Sequence, residues 1–154
     1  MSREVRLVPK DWIHPSNVGG RFIPLFDNYS IKDAEDWDEE RKLWDSEKHL
    51  DFIGGCSFSE WAGGRPDPDD YMPQWSAEEK THLMMYETTS EGCPISPAFE
   101  TPEDLARWLV DNEAGAFGGR KGTYEGWLRV AKGGFAPSMI MSSKGIESGV
   151  EALK

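Results

Sequence analysis

Tryptophan constrains this chain more than any other residue. Seven of them, at positions 12, 37, 44, 61, 75, 108 and 127, are spread through 154 residues, and each carries a large apolar body that folding has to cover. Most of the chain must take part in covering them, so one shared core is expected. The corresponding domain organisation is a single domain over 1–154, with residues 133–154 as a peripheral C-terminal extension. A chain of this length buries about two-thirds of its unfolded surface without metals or disulfides. Its 38% hydrophobic and 12% aromatic content is too rich for a chain that stays disordered.

Local patterns give an α+β fold class, a small antiparallel sheet packed with about three helices. The Val-rich stretch Glu4 to Pro9 reads as a strand, and Arg21 to Phe26 as a second one with Pro24 at an edge or an end. Ser30 caps a long helix over about 31–49, with Trp37 and Trp44 on one stripe as core anchors. The glycines and prolines of 51–76 make that stretch mostly loop. Thr81 to Thr89 alternates like a strand, Glu91-Gly92 marks a turn, and an extended piece follows near Pro94 to Phe99. Thr101-Pro102-Glu103-Asp104 is the clearest local signal: N-cap, proline at the first helical position, and acids in the first turn. Thr123 caps a further helix that Gly133 stops, and Ser138 to Ser143 reads as a last strand.

Charge is distributed unevenly. Residues 33–113 hold 22 Asp or Glu against 6 Lys or Arg, a balance of −16, and the flanks return +5 to give the net −11. Such a field repels phosphates, so direct nucleic-acid binding through this region is not expected. Two readings of the acidity stay open. It serves solubility, or its carboxylates imitate a phosphate array and occupy a nucleic-acid-binding groove on another protein. The candidate partner-binding residues are Asp36, Glu39, Glu40 and Glu47 on the long helix, with Asp67, Asp69 and Asp70 in the following loop.

Patterns of catalytic or metal chemistry are mostly missing. Cys56 and Cys93 are 37 positions apart with no CxxC spacing, which argues against a disulfide scaffold or a four-ligand zinc site and for a reducing compartment. The loop from Asp67 fails as an EF-hand because Tyr71 and Met72 stand where an oxygen ligand and a glycine are needed. His14, His49 and His82 belong to no metal or nucleophile motif and read as structural; Cys93, beside Pro94, is the one thiol worth mutating for activity. Gly115 to Thr123 places glycines and two cations before a helix. It reads as a flexible connector, with Arg120, Lys121 and Thr123 as a candidate anion site. No catalytic residue, metal or cofactor is expected. The first ten residues show no apolar stretch of a secretory signal, and no apolar run approaches the roughly 20 residues of a membrane span. A cytoplasmic protein with no membrane partner is therefore expected.

Longer strings carry a resemblance. Val8-Pro9 through Trp12 and His14-Pro15, Gly20 to Leu25, Asp70-Tyr71-Met72-Pro73, and Met85 to Gly92 resemble small phage and prophage proteins. The likeness continues through Pro94-Ile95-Ser96-Pro97, Thr101-Pro102-Glu103 and Ala136-Pro137-Ser138, so it spans nearly the whole chain. The resemblance implies expression inside an infected bacterium and brings no assigned activity or catalytic residue. It makes a non-enzymatic interaction protein the first expectation, one that inhibits a host defence or nucleic-acid-processing protein through its acidic surface, with a host or phage protein as partner. A phage accessory or virion-associated structural protein is the alternative, and a small enzyme the third.

Overall fold

A computed structural model describes residues 2–88, 92–143 and 145–152. The fold is α+β. The chain divides into two compact units, the first made of Met1–Leu25 and Trp75–Lys154, the second of Phe26–Gln74.

The first unit is built on a four-stranded antiparallel sheet. Its strands are β1 (Arg3–Val8), β2 (His82–Glu87), β3 (Cys93–Pro94) and a late strand at Phe135–Ala136, in the order β3, β2, β1 and the late strand. β1 and β2 pair over six residues, Arg3 opposite Glu87 through Val8 opposite His82. Side chains of a strand alternate between faces, and here both faces are covered. Val5, Leu83 and Met85 point to one side, where Met85 is fully buried with Leu105, Leu109, Trp127 and Val130. Arg6, Met84 and Tyr86 point to the other and are also buried.

Two capped helices supply the first covering layer. α3 (Pro102–Asp111) begins at Thr101, whose hydroxyl accepts from the Asp104 amide, and α4 (Tyr124–Gly133) begins at Thr123, which accepts from Gly126. Each has a strongly one-sided apolar face, as tertiary packing requires of helices too short to be stable alone. α4 continues one residue past the stop expected at Gly133, because Gly134, at φ 82°, takes the left-handed cap.

Between these helices the expected flexible connector is a two-stranded hairpin, β4 (Gly115–Phe117) and β5 (Arg120–Lys121). Arg3 holds it to β1: its Nε and Nη2 both donate to the Gly115 carbonyl, at 3.0 and 2.7 Å. The late strand of the main sheet is β6. Residues beyond it form β7 (Met139–Ser142), β8 (Gly145–Ser148) and the helical turn α5 (Gly149–Ala152). Ala136 and Val150 from this C-terminal stretch are fully buried in the first unit's core.

The second unit consists of α1 (Ile31–Asp45), α2 (Phe58–Ala62) and a short 3-10 turn at Pro68–Asp70. Ser30 caps α1 by accepting from Asp33, as its position implies. The helix ends at Asp45, earlier than the expected 49, where Glu47 turns to φ 59°. α2 is held by a capping box, Ser57 accepting from the Glu60 amide and Glu60 accepting from the Ser57 amide. Trp44 is the centre of this unit, only 2% exposed. Trp61 stacks on it at 5.1 Å, Phe52, His49 and Phe58 surround it at 5.3–5.7 Å, and its indole N–H donates to Cys56 O. Phe26 closes the unit by pairing with the Tyr71 region: its amide donates to Asp70 O and its carbonyl accepts from Met72.

Two expectations change. The seven tryptophans do not share one core, since Trp37, Trp44 and Trp61 belong to the second unit and the others to the first. Arg21 to Phe26 is not a strand: Phe22 and Phe26 make only isolated bridges, to Ser16 and Tyr71, and Pro24 interrupts any ladder there. The strand ending expected at Thr89 and the Glu91 half of the Glu91-Gly92 turn lie outside the described residues.

Gly92 is where the backbone leaves least room. Its φ is 98°, and a Cβ there would stand 1.9 Å from Leu25 O and 2.8 Å from the Arg6 guanidinium. Gly92→Ala should therefore destabilise the first unit by about 2 kcal/mol or more, as positive-φ strain adds to the clash. Trp127→Ala, which empties the largest fully buried site, should cost about 3–5 kcal/mol. Urea unfolding followed by circular dichroism measures both.

Candidate functional site

Net charge separates with the two units. The second, residues 26–74, holds 14 Asp or Glu against 5 Lys or Arg, so 49 residues carry −9 of the total −11. All seven candidate carboxylates, Asp36, Glu39, Glu40, Glu47, Asp67, Asp69 and Asp70, lie in this unit and are exposed.

The physical reason is visible in α1. Ala34 and Trp44 take its buried side, and the remaining turns face water with a near-continuous run of charge. The loop that carries Asp67 to Asp70 is tied to the same helix: Trp37 Nε1 donates to Gly63 O at 3.2 Å, and Arg65 Nε and Nη2 donate to the Asp38 carboxylate at 3.0 and 2.9 Å. Hydrogen bonding from Arg65 holds the Asp38 carboxyl below its ordinary range. Asp67 in turn caps the 3-10 turn by accepting from the Asp69 amide. Helix and loop therefore present carboxylates from one packed unit.

Pairing is unequal among these acids. Asp36 is neutralised in part by Lys32 one turn earlier, and Asp38 by Arg65. Among the described residues, Glu39, Glu40, Glu47, Asp67, Asp69 and Asp70 make no ion pair. No group of three or more His, Cys, Asp or Glu placed to hold a metal ion occurs among the described residues.

Arg120, Lys121 and Thr123 each have a partner within the chain. Arg120 Nη1 donates to Ile146 O at 3.2 Å, and Lys121 pairs with Glu113. At the N-terminus of α4 the anion is the chain's own: Glu151 accepts from the Thr123 amide at 2.6 Å and from its hydroxyl at 3.1 Å. The helix-end attraction for a carboxylate that the sequence pattern signals is satisfied from α5.

A feature that sequence reasoning missed lies in the first unit. The segment 10–22 and the sheet-edge segment 94–98 line a cleft of about 570 Å³, with Trp108 on α3 and Met84 on β2 among its other walls. Tyr86 fixes the wall on the 10–22 side. Its ring lies under the Arg6 guanidinium at 4.5 Å, and its hydroxyl accepts from Trp12 Nε1 at 3.2 Å. His14, buried at 2% exposure, places Nε2 2.7 Å from Ile23 O and Nδ1 3.2 Å from the Tyr86 hydroxyl. A carbonyl only accepts, so Nε2 carries the proton and Nδ1 accepts from Tyr86. The signal in the sequence was the aromatic Trp12-Ile13-His14-Pro15 run together with Pro94-Ile95-Ser96-Pro97; only the sheet brings the two together.

His49 and His82 are engaged as well. His49 accepts from the Asp51 amide within the Trp44 cluster, and His82 Nδ1 lies 2.9 Å from the Thr81 hydroxyl. No helix among the described residues is long and apolar enough to cross a membrane. No family model, curated protein or solved structure matches this chain.

Burial lowers the His14 pKa below its ordinary 6.5; the Ile23 hydrogen bond opposes this and the Arg6 charge adds to it. The unfolded chain thus takes up this proton first as pH falls. The His14 contribution to stability is whole above pH 6.5 and is lost as pH drops below it towards the folded value. Asp38, Glu60, Glu79 and Glu103, held low by hydrogen bonds, lose their contributions only below their ordinary values of 3.8 and 4.5. Urea unfolding from pH 7.5 to 5 should show wild-type stability falling with acid, and His14→Gln, though less stable at pH 7.5, a flatter profile. Parallel profiles would remove His14 as the cause.

Proposed function

We propose that this chain is a non-enzymatic interaction protein whose acidic second unit engages a basic surface on another protein, of the kind that otherwise receives nucleic-acid phosphates. The supporting observation is the concentration of −9 charge in 49 residues that fold as one compact unit. Solubility alone asks for charge spread over a surface. Here the first unit, with 14 acidic and 12 basic residues, is close to neutral, and charge sits where an aromatic core holds its backbone in place.

Rigid presentation matters for this reading. A groove that binds nucleic acid recognises closely spaced phosphates, and preorganised carboxylates compete for it without the entropic cost of ordering a flexible acidic tail. Glu39, Glu40 and Glu47, with Asp67, Asp69 and Asp70, are the residues assigned to the contact, with Asp36 beside them. The resemblance to phage and prophage proteins supplies the setting: the cytoplasm of an infected bacterium, with a host defence or nucleic-acid-processing protein as target.

Capture from lysate of a bacterial host on tagged protein, followed by elution with heparin and separately with rising salt, tests this directly. The captured protein should be a nucleic-acid-binding one, released by both, because heparin competes as a polyanion and salt screens charge beyond about 10 Å at 0.1 M. Reversing Asp36, Glu39, Glu40 and Glu47 to Lys should weaken binding to that protein by at least about tenfold, roughly 1.4 kcal/mol. Unchanged binding, or recovery of phage particle components alone, would overturn the proposal, the latter in favour of a virion-associated role.

A further inference from the structure

The cleft of the first unit is independent of the acidic unit's role and points to a different ligand. Its volume, about 570 Å³, falls within the ~300–1,000 Å³ range of sites for small molecules. Most of its walls are apolar. The polar side chains that line it are largely committed within the fold: both ring nitrogens of His14 are bonded, Trp12 Nε1 donates to Tyr86, and Ser96 Oγ donates to Pro97 O at 2.8 Å while accepting from the Met85 amide at 2.9 Å.

What remains uncommitted defines the ligand. Among the described residues, the ammonium of Lys10 and the hydroxyl of Ser16 have no hydrogen-bond or ion-pair partner, and Lys10 is the only charged residue lining the cleft. Apolar side chains also stand open to water here, Ile13 at 84% and Phe22 at 47% exposure, although Trp108 and Met84 offer them a facing wall. A bound apolar body would remove this surface from water, which is the main source of affinity in such sites.

We propose that this cleft is a binding site for a small amphiphilic acid, an aromatic or branched aliphatic body bearing one carboxylate that Lys10 receives. The apolar body packs against Trp12, Ile13 and Phe22 on one side and the Pro94–Ala98 segment on the other. A neutral polar molecule finds few side-chain partners on these walls. A cationic one meets Lys10 with like charge.

A matched pair of probes separates sign from shape. Naphthalene-1-acetate and 1-naphthylmethylamine share the ring system and differ in charge, and each is titrated into the full isotope-labelled chain while amide and indole signals are followed by NMR. The acetate should give saturable shifts at Trp12, Ile13 and the Ile95, Ser96 and Ala98 amides and bind at least about tenfold more tightly than the amine. Lys10→Met should bring the two affinities together. Ile13→Asp, at a position so exposed that the fold does not depend on it, should weaken the acetate further. The proposal is overturned if the acetate gives no saturable shift at these residues, if the amine binds as tightly in the wild type, or if Lys10→Met leaves the ratio unchanged.

Discussion

Tyr86 is the point on which the first unit depends. It lies on the sheet face opposite Met85 and the α3–α4 layer, and it is fully buried, because Arg6, Trp12 and His14 converge on its ring and hydroxyl. The segment between β1 and α1 has no regular structure of its own to hold it there. It is kept by directed bonds: His14 to Ile23 O, Arg6 Nη1 to Leu25 O at 2.7 Å, and the Leu25 amide to Gly92 O at 3.3 Å. Buried arginines are tolerated on both faces of this sheet because each has carbonyl or carboxylate partners, Arg3 on Gly115 and Glu87, Arg6 on Leu25 and Glu4. A covered second face is what allows a four-stranded sheet to bury Met84 and Tyr86 as well as Met85, and the same covering segment becomes one wall of the cleft.

The second unit solves a different problem. Its sequence is too charged for an extensive apolar core, so it concentrates burial in one aromatic cluster around Trp44 and leaves the rest of α1 to solvent. Tryptophan is effective there because a single side chain buries a large area with few rotatable bonds. Indole N–H groups find carbonyls at Cys56 and Gly63, which also orders the glycine-rich loop. Carboxylate density and a fixed backbone thus arise from the same arrangement.

Much of the local structure was legible because its causes are local. Ser30, Thr101 and Thr123 each cap the helix that follows, and Pro102 marks a first turn, since capping depends on residues only two or three positions apart. Strand β1 and strand β2 were visible from composition and alternation. The division of tryptophans between two units was not, since it is decided by which distant segments meet. Residues 21–26 misled because their apolar composition is that of a strand, while their bonds go to His14, Arg6 and Gly92 rather than into a ladder. The acidic residues were legible as charge, but their presentation by one unit required Trp37 and Arg65 to tie the Asp67–Asp70 loop to α1. The cleft was hidden because its two walls are some 80 residues apart in sequence.

Carboxyl footprinting is the most direct test of the central claim, that the second unit is the contact surface. The purified chain, free and in complex with the protein it captures, is labelled with carbodiimide and glycine ethyl ester, and modification of each Asp and Glu is read by mass spectrometry. The account expects protection on binding at Glu39, Glu40, Glu47 and the Asp67–Asp70 loop, with the carboxylates of the first unit labelled equally in both states. Equal labelling of the second unit in both states, or protection confined to the first, would contradict it.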